Sequence, residues 1–562
     1  MHHHLSVRTK VIIMLSVMAS MFLVALDQTI IATALGKIVE EFNAFDSLSW
    51  IVTAYLVTTT LTVPIAGRLS DLFGRRIILL IGVIVFTLGS MASGLSGNIM
   101  QLILFRAIQG IGGGIITANA FTIIGDLFAA RERGRWQGLI GAVFGLSSVV
   151  GPLLGGWLTD NQHILGLVTN WRWTFFINVP VGIVALILLA VFCPPLRHDN
   201  KPVVDYAGAG ILAATLALFI LAIDNTESIF AGFMSATGLS LFGLRLIMYT
   251  LVAIGVGAFV WAERGAAEPI IPLHFFKNYN FVLLITIAGL FGAAFMGSIL
   301  YLTQFNQQVF GATPTQSGLM LLPMVCGILV SSIGAGQIIS HTGRYKIFMQ
   351  VGFVVATIMM LMLTTLTPGS GYGQEAWIMA CLGLGMGVAM PVLNLAMQNE
   401  FAMHELGAAT SSNQLFRSLG STLGTAIFGA MLTAGIVAHI GSIQSTAYVQ
   451  TLKQSPAAAK VGDFNDANTM LNLNMADVKS KVTDSANQAF GKLPEPIQTQ
   501  QKDAFKANQA EFSNKVTSAF SDSLQRIFYV ASGLTLLATV GVFMLREREL
   551  QSASPSETPG EM

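Results

Sequence analysis

Two charged residues lie inside long apolar stretches of the sequence, where their presence needs a chemical reason. Asp27 occurs within the apolar run at residues 11–35, and Arg106 occurs within a second run that begins near residue 100. A charged side chain in the hydrocarbon core of a membrane costs about 2.5–3.5 kcal/mol on insertion scales, so it usually faces a polar cavity, a partner or a proton path. We expect Asp27 to be a carboxylate that exchanges protons, with Arg106 as its neutralising partner or competitor.

Other interpretations of these residues stay open from the residues alone. Asp27 would alternatively lie near the outer interface, hydrated among the headgroups, or within a cleaved signal peptide, which the missing small-residue cleavage site argues against. The Arg106 side chain would alternatively extend along the membrane to the outer headgroups. For Arg417, near the inner end of a later apolar run, we expect this extended position.

The composition indicates the class of protein that positions these side chains. The chain has 562 residues, of which 53% are hydrophobic and only 10% are charged, a balance too apolar for a soluble protein of this length. The net charge of +1 provides no field that would attract a nucleic acid. The three cysteines have no metal-binding spacing, so we expect no metal site. We predict an all-α protein that crosses the membrane many times.

About fourteen apolar segments are long enough to cross a bilayer, at about 20 residues per span. The predicted spans lie near residues 11–35, 48–66, 77–95, 100–124, 136–159, 174–193, 206–223, 246–262, 280–305, 315–339, 347–366, 375–397, 410–438 and 523–545. An even number of spans places both termini on the same side of the membrane.

Basic residues in the short loops predict which side that is, because lysine and arginine favour the cytoplasm. With the N-terminus inside, the cytoplasmic segments contain Arg8, Lys10, Arg68, Arg75, Arg76, Arg131, Arg133, Arg135, Arg197, Lys201, Arg264, Lys277, Arg344, Lys346, Arg546 and Arg548. The short outer loops then contain only Lys37, Arg172 and Arg245. We therefore predict that both termini are cytoplasmic.

Two loops repeat each other and indicate an internal duplication. The segment at 67–76 follows the second span, the segment at 336–346 follows the tenth, and both begin with glycine and end on a Gly-Arg pair with a further basic residue. Duplicated halves are how many secondary transporters form a central site. We predict an N-terminal six-helix half at 1–195, two linker transmembrane helices at 196–279 and a C-terminal six-helix half at 280–562.

A polar segment at about 441–522 separates the last two spans and is far longer than a connector requires. We predict that it is extracellular. Apolar residues recur in it at helical spacing and lead into the last span: Phe505, Phe512, Val516, Phe520 and Leu524. We expect the last helix to extend outward and to pair with a second helix around Val478, Val482 and Phe490. A disordered loop is the alternative.

Polar and aromatic residues in several spans are candidates for a substrate cavity. They are Tyr55, Asn119, Tyr301, Gln304, Phe305 and Asn394. The alternative role for each is a contact that joins two membrane helices. In the fifth span, small residues around Gly151 allow close approach of another helix, and Pro152 can bend the span.

These residues together resemble the major facilitator superfamily, and within it the fourteen-span drug:proton antiporters. The segment from Gly67 to Arg76 looks like the cytoplasmic signature loop, and Arg106-x-x-Gln109-Gly110 resembles the fourth-span motif. Further motif matches are Leu26-Asp27-Gln28-Thr29-Ile30 in the first span, Gly151-Pro152 in the fifth, and Trp171-Arg172-Trp173 with Asn178-Val179-Pro180. The chain departs from the fifth-span motif at Ser147, usually a glycine, which we expect to loosen a helix contact.

The resemblance implies a mechanism and a role for each motif. By resemblance, the two halves alternate access to a central site, Asp27 and Arg106 couple transport to protons, and Asp71 and Arg75 belong to a charge relay at the cytoplasmic end. The residues implied in conformational gating are Gly67, Asp71, Gly74, Arg75, Gly151 and Pro152.

The function implied is proton-coupled efflux of amphipathic drugs or toxic compounds. The outer segment at 441–522 motivates an alternative, a proton-coupled exporter of a lipid or cell-envelope component. The expected partners are a small amphipathic or lipophilic substrate, protons and the lipid bilayer. We expect no enzymatic activity and no cofactor, since the proton gradient drives transport. We expect a monomer in a bacterial plasma membrane.

Overall fold

The computed structural model describes residues 6–42, 48–159, 163–164, 167–193, 204–223, 226–454, 463–491 and 494–550. Its helices are α1 (Val7–Phe42), α2 (Leu48–Phe73), α3 (Arg75–Gly94), α4 (Ile99–Leu127), α5 (Ala130–Thr159), α6 (Trp173–Phe176), α7 (Asn178–Phe192), α8 (Tyr206–Ile223), α9 (Thr226–Thr237), α10 (Leu241–Gly265), α11 (Tyr279–Val309), α12 (Pro314–Met320), α13 (Leu322–Thr342), α14 (Lys346–Leu363), α15 (Tyr372–Glu400), α16 (Leu406–Gln444), α17 (Ala447–Gln454), α18 (Ala467–Asn474), α19 (Ala476–Phe490) and α20 (Glu495–Met544).

Two short 3₁₀ helices, Leu273–Lys277 and Met403–Glu405, complete the described helical structure. The two-residue strands β1 (His163–Ile164) and β2 (Leu167–Val168) pair antiparallel, with His163 opposite Val168. Helices dominate because backbone groups in a bilayer must form their hydrogen bonds internally. The predicted all-α membrane fold is confirmed.

Fourteen helical segments of the described chain are long and apolar enough to cross a membrane. They follow the predicted spans in order, and α6 with α7 forms the sixth. Several helices continue beyond their predicted ends, because polar residues can extend a helix past the apolar core that a hydropathy pattern detects. The last helix, α20, begins at Glu495, well before the apolar run that predicted it.

Both ends of the described chain lie at one face of the helix bundle. Lys10 of α1 lies over the Phe128 ring, with 5.4 Å from Nζ to the ring centre. Arg131 Nε donates to the Leu550 carbonyl at 3.2 Å, and the Leu550 amide donates to the Gly343 carbonyl at 3.4 Å. We call this side the terminal face and the other side the opposite face. The assignment of the terminal face to the cytoplasm stays a prediction.

The first six spans contact the last six near the terminal face. Ser332 Oγ of α13 donates to the Gly138 carbonyl of α5 at 2.7 Å. Gln137 Nε2 donates to Gln398 Oε1 of α15 at 2.8 Å. Among the described residues, the hydrogen bonds that join these two sets of helices all lie in the half of the bundle nearer the terminal face. The two sets are therefore closed against each other on that side.

The division at 195 and 196 stays a prediction, and this boundary lies outside the described residues, as do Arg197 and Lys201. The linker helices α8 and α10 pack against each other at the edge of the bundle, where the Gly255 backbone lies against the Thr215 side chain.

The polar segment between α16 and the membrane part of α20 is mostly helical where it is described. It contains α17, α18, α19 and the first turns of α20, and the predicted stripe from Phe505 to Leu524 is buried in it. Gln308, near the end of α11, donates to the Leu471 carbonyl at 3.1 Å and accepts from Asn474 at 2.9 Å. Lys479 Nζ of α19 donates to Ser513 Oγ of α20 at 3.2 Å, and the Phe490 and Phe505 ring centres are 5.9 Å apart, so the expected helix pair is confirmed. The disordered alternative is wrong for these residues. The extracellular position stays a prediction.

Candidate functional site

The Asp27 carboxylate forms a buried ion pair with Arg106. Arg106 Nη1 donates to Asp27 Oδ2 at 2.5 Å. The Arg106 side chain is 1% exposed and the Asp27 side chain is 0% exposed. Gln109 Nε2 donates to Asp27 Oδ1 at 2.8 Å, and Asn178 Nδ2 donates to the same oxygen at 3.3 Å. The carboxylate thus has one charged donor and two amide donors, which compensate its removal from water.

Arg106 is held by contacts that do not depend on Asp27. Its Nη1 also donates to Gln109 Oε1 at 2.9 Å, and its Nε donates to the Ile51 carbonyl at 3.4 Å. The Tyr55 ring lies under the guanidinium, with 4.3 Å between the guanidinium carbon and the ring centre. A cation over an aromatic face is electrostatically favourable. If Asp27 is protonated and loses its charge, Arg106 therefore still has partners in place.

Helix contacts with α5 position Asp27. Thr29 Oγ1 of α1 donates to the Ser147 carbonyl of α5 at 2.9 Å. A Cβ atom at Gly151 would overlap the Thr29 side chain, so this close approach requires glycine. The Ser147 hydroxyl is fully buried and donates to the Val143 carbonyl of its own helix at 2.8 Å. The α1–α5 contact is therefore close with Ser147 present, and its expected loosening relative to glycine stays a prediction.

The signature loop forms a second buried charge cluster, near the terminal face. Arg75 is 1% exposed and donates to the Asp71 carboxylate, to Ser70 Oγ and, at 2.8 Å, to Asp126 Oδ2. Two carboxylates therefore share one guanidinium across α2, α3 and α4. Gly74, which separates α2 from α3, has a φ of 96°, a backbone conformation that favours glycine. This turn places Arg75 next to Asp71.

Asp71 also connects the two sets of six spans. Its Oδ1 accepts from the Gly407 amide at 3.2 Å, and its Oδ2 accepts from the Ala408 amide at 3.1 Å. These amides belong to the first turn of α16, where unpaired N–H groups and the helix dipole favour a negative charge. Gly67 packs one turn away, where a Cβ atom would lie 2.8 Å from the Gly407 carbonyl. Asp71 thus caps a helix of the other set.

A comparison with models of protein families identifies the family to which this chain belongs. The model of the Major Facilitator Superfamily matches residues 17–425. The chain belongs to the Major Facilitator Superfamily. Its members include membrane transporters, so the fold and both charge clusters described above belong to a transporter of this superfamily.

Two relatives from Bacillus subtilis are similar over most of the chain. The multidrug transporter protein MdtP is 35% identical over 534 residues, which are 94% of this chain and 91% of the relative. Multidrug resistance protein 3 is 35% identical over 421 residues, which are 75% of this chain and 79% of the relative.

Solved structures show the same fold. The human organic anion transporter MFSD10 aligns with a TM-score of 0.59 and 14% identity, over 94% of this chain and 99% of that protein. The proton:xylose symporter XylE aligns with a TM-score of 0.54 and 16% identity, over 84% of this chain and 95% of that protein.

Within this superfamily fold, the six candidate substrate residues do not form one cluster. Tyr55 lies against Arg106, and Asn394 Oδ1 accepts from Asn413 Nδ2 at 2.8 Å in the last six spans. Asn119 is fully buried and donates to the Ile115 carbonyl of its own helix at 2.8 Å. Their assignment to a substrate stays a prediction.

The remaining three candidates, Tyr301, Gln304 and Phe305, lie together on α11 towards the opposite face. Tyr301 and Phe305 are 2% and 1% exposed, and Tyr301 meets the Phe428 ring edge-on at 6.2 Å between ring centres. These two aromatic residues pack into the core of the last six spans. Gln304 is half-buried.

Two arginine predictions are settled by position. The alternative in which Arg106 extends to the headgroups is wrong, because its guanidinium is buried beside Asp27. The expected extension of Arg417 to the interface is also wrong. Its Nε and Nη2 donate to Gln414 Oε1 at 3.1 and 2.6 Å, and its Nη1 lies 3.7 Å from Met390 Sδ of α15.

Asp126 and Asn178, which were not among the predicted site residues, reach these clusters, and Glu375 forms a separate buried contact. Asp126 binds Arg75. Its only indication in the sequence is its position as an acidic residue at the inner end of the fourth span, which also contains Arg106. Asn178 reaches Asp27 from the sixth span, and only its motif indicated it. Glu375 is fully buried near the start of α15 and faces the Asn306 amide at 2.7 Å, with the amide oriented to donate. In the sequence it is the first residue of the predicted span at 375–397.

Proposed function

We propose that this chain exports amphipathic drugs or toxic compounds from a bacterial cell in exchange for external protons. The observation that carries the proposal is the fully buried Asp27–Arg106 pair. The names of the relatives support the substrate class. The terminal face is the cytoplasmic face in this proposal, supported by the many basic residues in its loops. The protein acts as a monomer in the plasma membrane, without a cofactor and without enzymatic chemistry.

In the proposed cycle, the pair responds to a proton that arrives from outside. Arg106 lies seven residues from the start of α4 at the opposite face, about 10 Å along the helix. Protonation removes the charge of Asp27 and its attraction for Arg106, while Gln109 and Tyr55 retain the guanidinium. Substrate that requires the charged carboxylate, or that displaces Arg106, competes with the proton. Such competition couples the two fluxes.

The second part of the cycle is opening of the terminal face. It requires the two amides of α16 to leave Asp71, and the bonds from Ser332 to Gly138 and from Gln137 to Gln398 to break. One proton that moves down a potential of about 100 mV contributes about 2.3 kcal/mol. At 1.4 kcal/mol per tenfold, this supports roughly a forty-fold substrate gradient.

Export of ethidium from proteoliposomes tests the proposal. An imposed pH gradient is expected to drive export by the unmodified protein and not by Asp27→Asn, because the amide cannot bind and release the proton. Glu263→Gln is the matched control, since Glu263 is also a buried acid, 4% exposed, but lies in linker helix α10. Full gradient-driven export by Asp27→Asn would remove Asp27 from the mechanism. Export that persists after the gradient is collapsed would refute proton coupling.

A further inference from the structure

Arg417 is a cation at mid-depth in the membrane whose partners are all uncharged. It lies eleven residues after the start of α16 at the terminal face, about 16 Å along the helix. Gln414 Oε1 accepts two of its hydrogen bonds, and its other polar contact is Met390 Sδ. No described carboxylate pairs with it, whereas Arg75 has two such partners and Arg106 has one.

The neighbours of Arg417 show which way this face of α16 points. Gln398 of α15 contacts the first six spans, accepting from Gln137 and donating to the Phe121 carbonyl, and it also reaches Thr410 of α16. One turn deeper into the membrane, Asn394 accepts from Gln414 at 3.3 Å. A further turn deeper are Met390 and Arg417. These residues form one stripe along the contact of α15 with α16, and Gln398 at its end nearer the terminal face contacts the first six spans.

Burial changes along this stripe. Thr410 and Gln414 are both 0% exposed, so the helices enclose them completely. Arg417, one turn beyond Gln414, is only half-buried. Exposure along the stripe therefore increases from the terminal face towards the middle of the membrane. The Arg417 side chain is thus partly accessible, whereas Thr410 and Gln414, nearer the terminal face, are enclosed.

A guanidinium carries five N–H groups, of which Gln414 takes one from Nε and one from Nη2, and a thioether is a weak acceptor. N–H groups of Nη1 and Nη2 therefore remain for another partner. An uncompensated cation away from bulk water is costly, and an anion that forms charge-assisted hydrogen bonds removes that cost. A planar fork of donors suits a carboxylate, sulfonate or phosphate group.

We propose that Arg417 binds an anionic group of the transported amphipath, so that the substrate class includes organic carboxylates, sulfonates or phosphates. This inference rests on the proposed export function and specifies its cargo. In the described part of the first six spans, the cation nearest mid-depth is Arg106, and Asp27 neutralises its charge. The anionic end of the cargo lies at Arg417 and its apolar part extends towards the opposite face.

Two dyes that differ by one sulfonate test the assignment. 8-Anilinonaphthalene-1-sulfonate carries the anion, and N-phenyl-1-naphthylamine has the same ring system without it. Initial export rates from proteoliposomes under a pH gradient give a half-saturation concentration for each dye. Arg417→Gln is expected to raise the value for the sulfonate at least tenfold and to leave that for the neutral dye within twofold. Arg417→Lys, which keeps the charge but not the fork, is expected to give an intermediate value.

Arg264→Gln is the matched control, because it removes the same charge from an exposed position at the end of α10, and it is expected to change neither dye. Equal loss of both dyes in Arg417→Gln would indicate a structural role and overturn the assignment, as would an unchanged sulfonate value.

Equilibrium dialysis of the sulfonate dye against protein in nanodiscs separates this inference from the export function. Binding that weakens at least tenfold in Arg417→Gln supports the site, whether or not the unmodified protein exports either dye. Export of neither dye by the unmodified protein would refute the proposed export function. Equal binding by the unmodified protein and Arg417→Gln refutes the site even if export is observed.

Discussion

Substitution of Asp71 by asparagine tests whether the carboxylate that caps α16 keeps the terminal face closed. In the unmodified protein the amides of Gly407 and Ala408 each donate to a separate oxygen of the Asp71 carboxylate. The substitution removes the charge and leaves one oxygen as an acceptor for both amides. A lost hydrogen bond costs about 1 kcal/mol. The lost charge at a helix N-terminus costs up to about 1 kcal/mol more. We expect the equilibrium to shift towards an open terminal face by about 2 kcal/mol, roughly thirtyfold.

Spin labels across the terminal face measure this shift. Glu132 at the start of α5 and Thr342 at the end of α13 are both exposed and lie in different six-helix sets. Cysteines at these positions, in a chain whose own Cys193, Cys326 and Cys381 are replaced by serine, give a distance distribution by double electron–electron resonance. The Asp71→Asn protein is expected to gain a population at longer distance.

Asp126→Asn is the control for this measurement. Asp126 binds the same arginine, Arg75, at 2.8 Å, but its described contacts remain within the first six spans. We expect this variant to lose stability without gaining the long distance. The capping argument is refuted if Asp71→Asn keeps the unmodified distribution, or if both variants open the terminal face equally.

Four further outcomes follow from other parts of the structure. Arg106→Gln alone is expected to cost about 3–5 kcal/mol in unfolding free energy, and addition of Asp27→Asn to recover most of it, because only the single change leaves an unpaired buried charge. Gly74→Ala is expected to cost about 1–2 kcal/mol in a denaturation series, because its φ is 96°. Phe512→Ala is expected to cost about 3–5 kcal/mol and to speed proteolysis of the polar segment, because this ring is fully buried. Burial lowers the pKa of the Lys479 ammonium from 10.5, so folding disfavours its charged form. Protease resistance of this segment is expected to rise as pH increases from that lowered pKa towards 10.5, and Lys479→Gln to remove the rise.

Matched changes make these outcomes specific. Gly210→Ala has open space around it and is expected to cost nothing. Phe543→Ala removes a ring that is 53% exposed and is expected to leave proteolysis unchanged. Lys515→Gln changes a lysine of the same polar segment whose side chain is 37% exposed, and it is expected to retain the pH response. The ion-pair argument would be contradicted if the variant with both Asp27→Asn and Arg106→Gln were as unstable as the variant with Arg106→Gln alone.

The sequence by itself determined the membrane class, the fourteen spans and their order. Length and hydropathy suffice for these features, because a bilayer admits few ways to satisfy a backbone. The cost of a buried charge was also enough to single out Asp27 and Arg106, and the spacing of Phe512 and Val516 was enough to predict a helix in the polar segment.

Only the tertiary structure decided which of these residues meet. Asp27 and Arg106 are 79 positions apart, and Asn178 is 151 positions from Asp27. Asp71 reaches an amide 336 positions away. Membrane helices are apolar all round, so hydropathy does not indicate how each is rotated or which neighbour it faces. For the same reason Arg417 could not be placed from its sequence context, because its depth and its uncharged partners depend on the packing of α15 against α16.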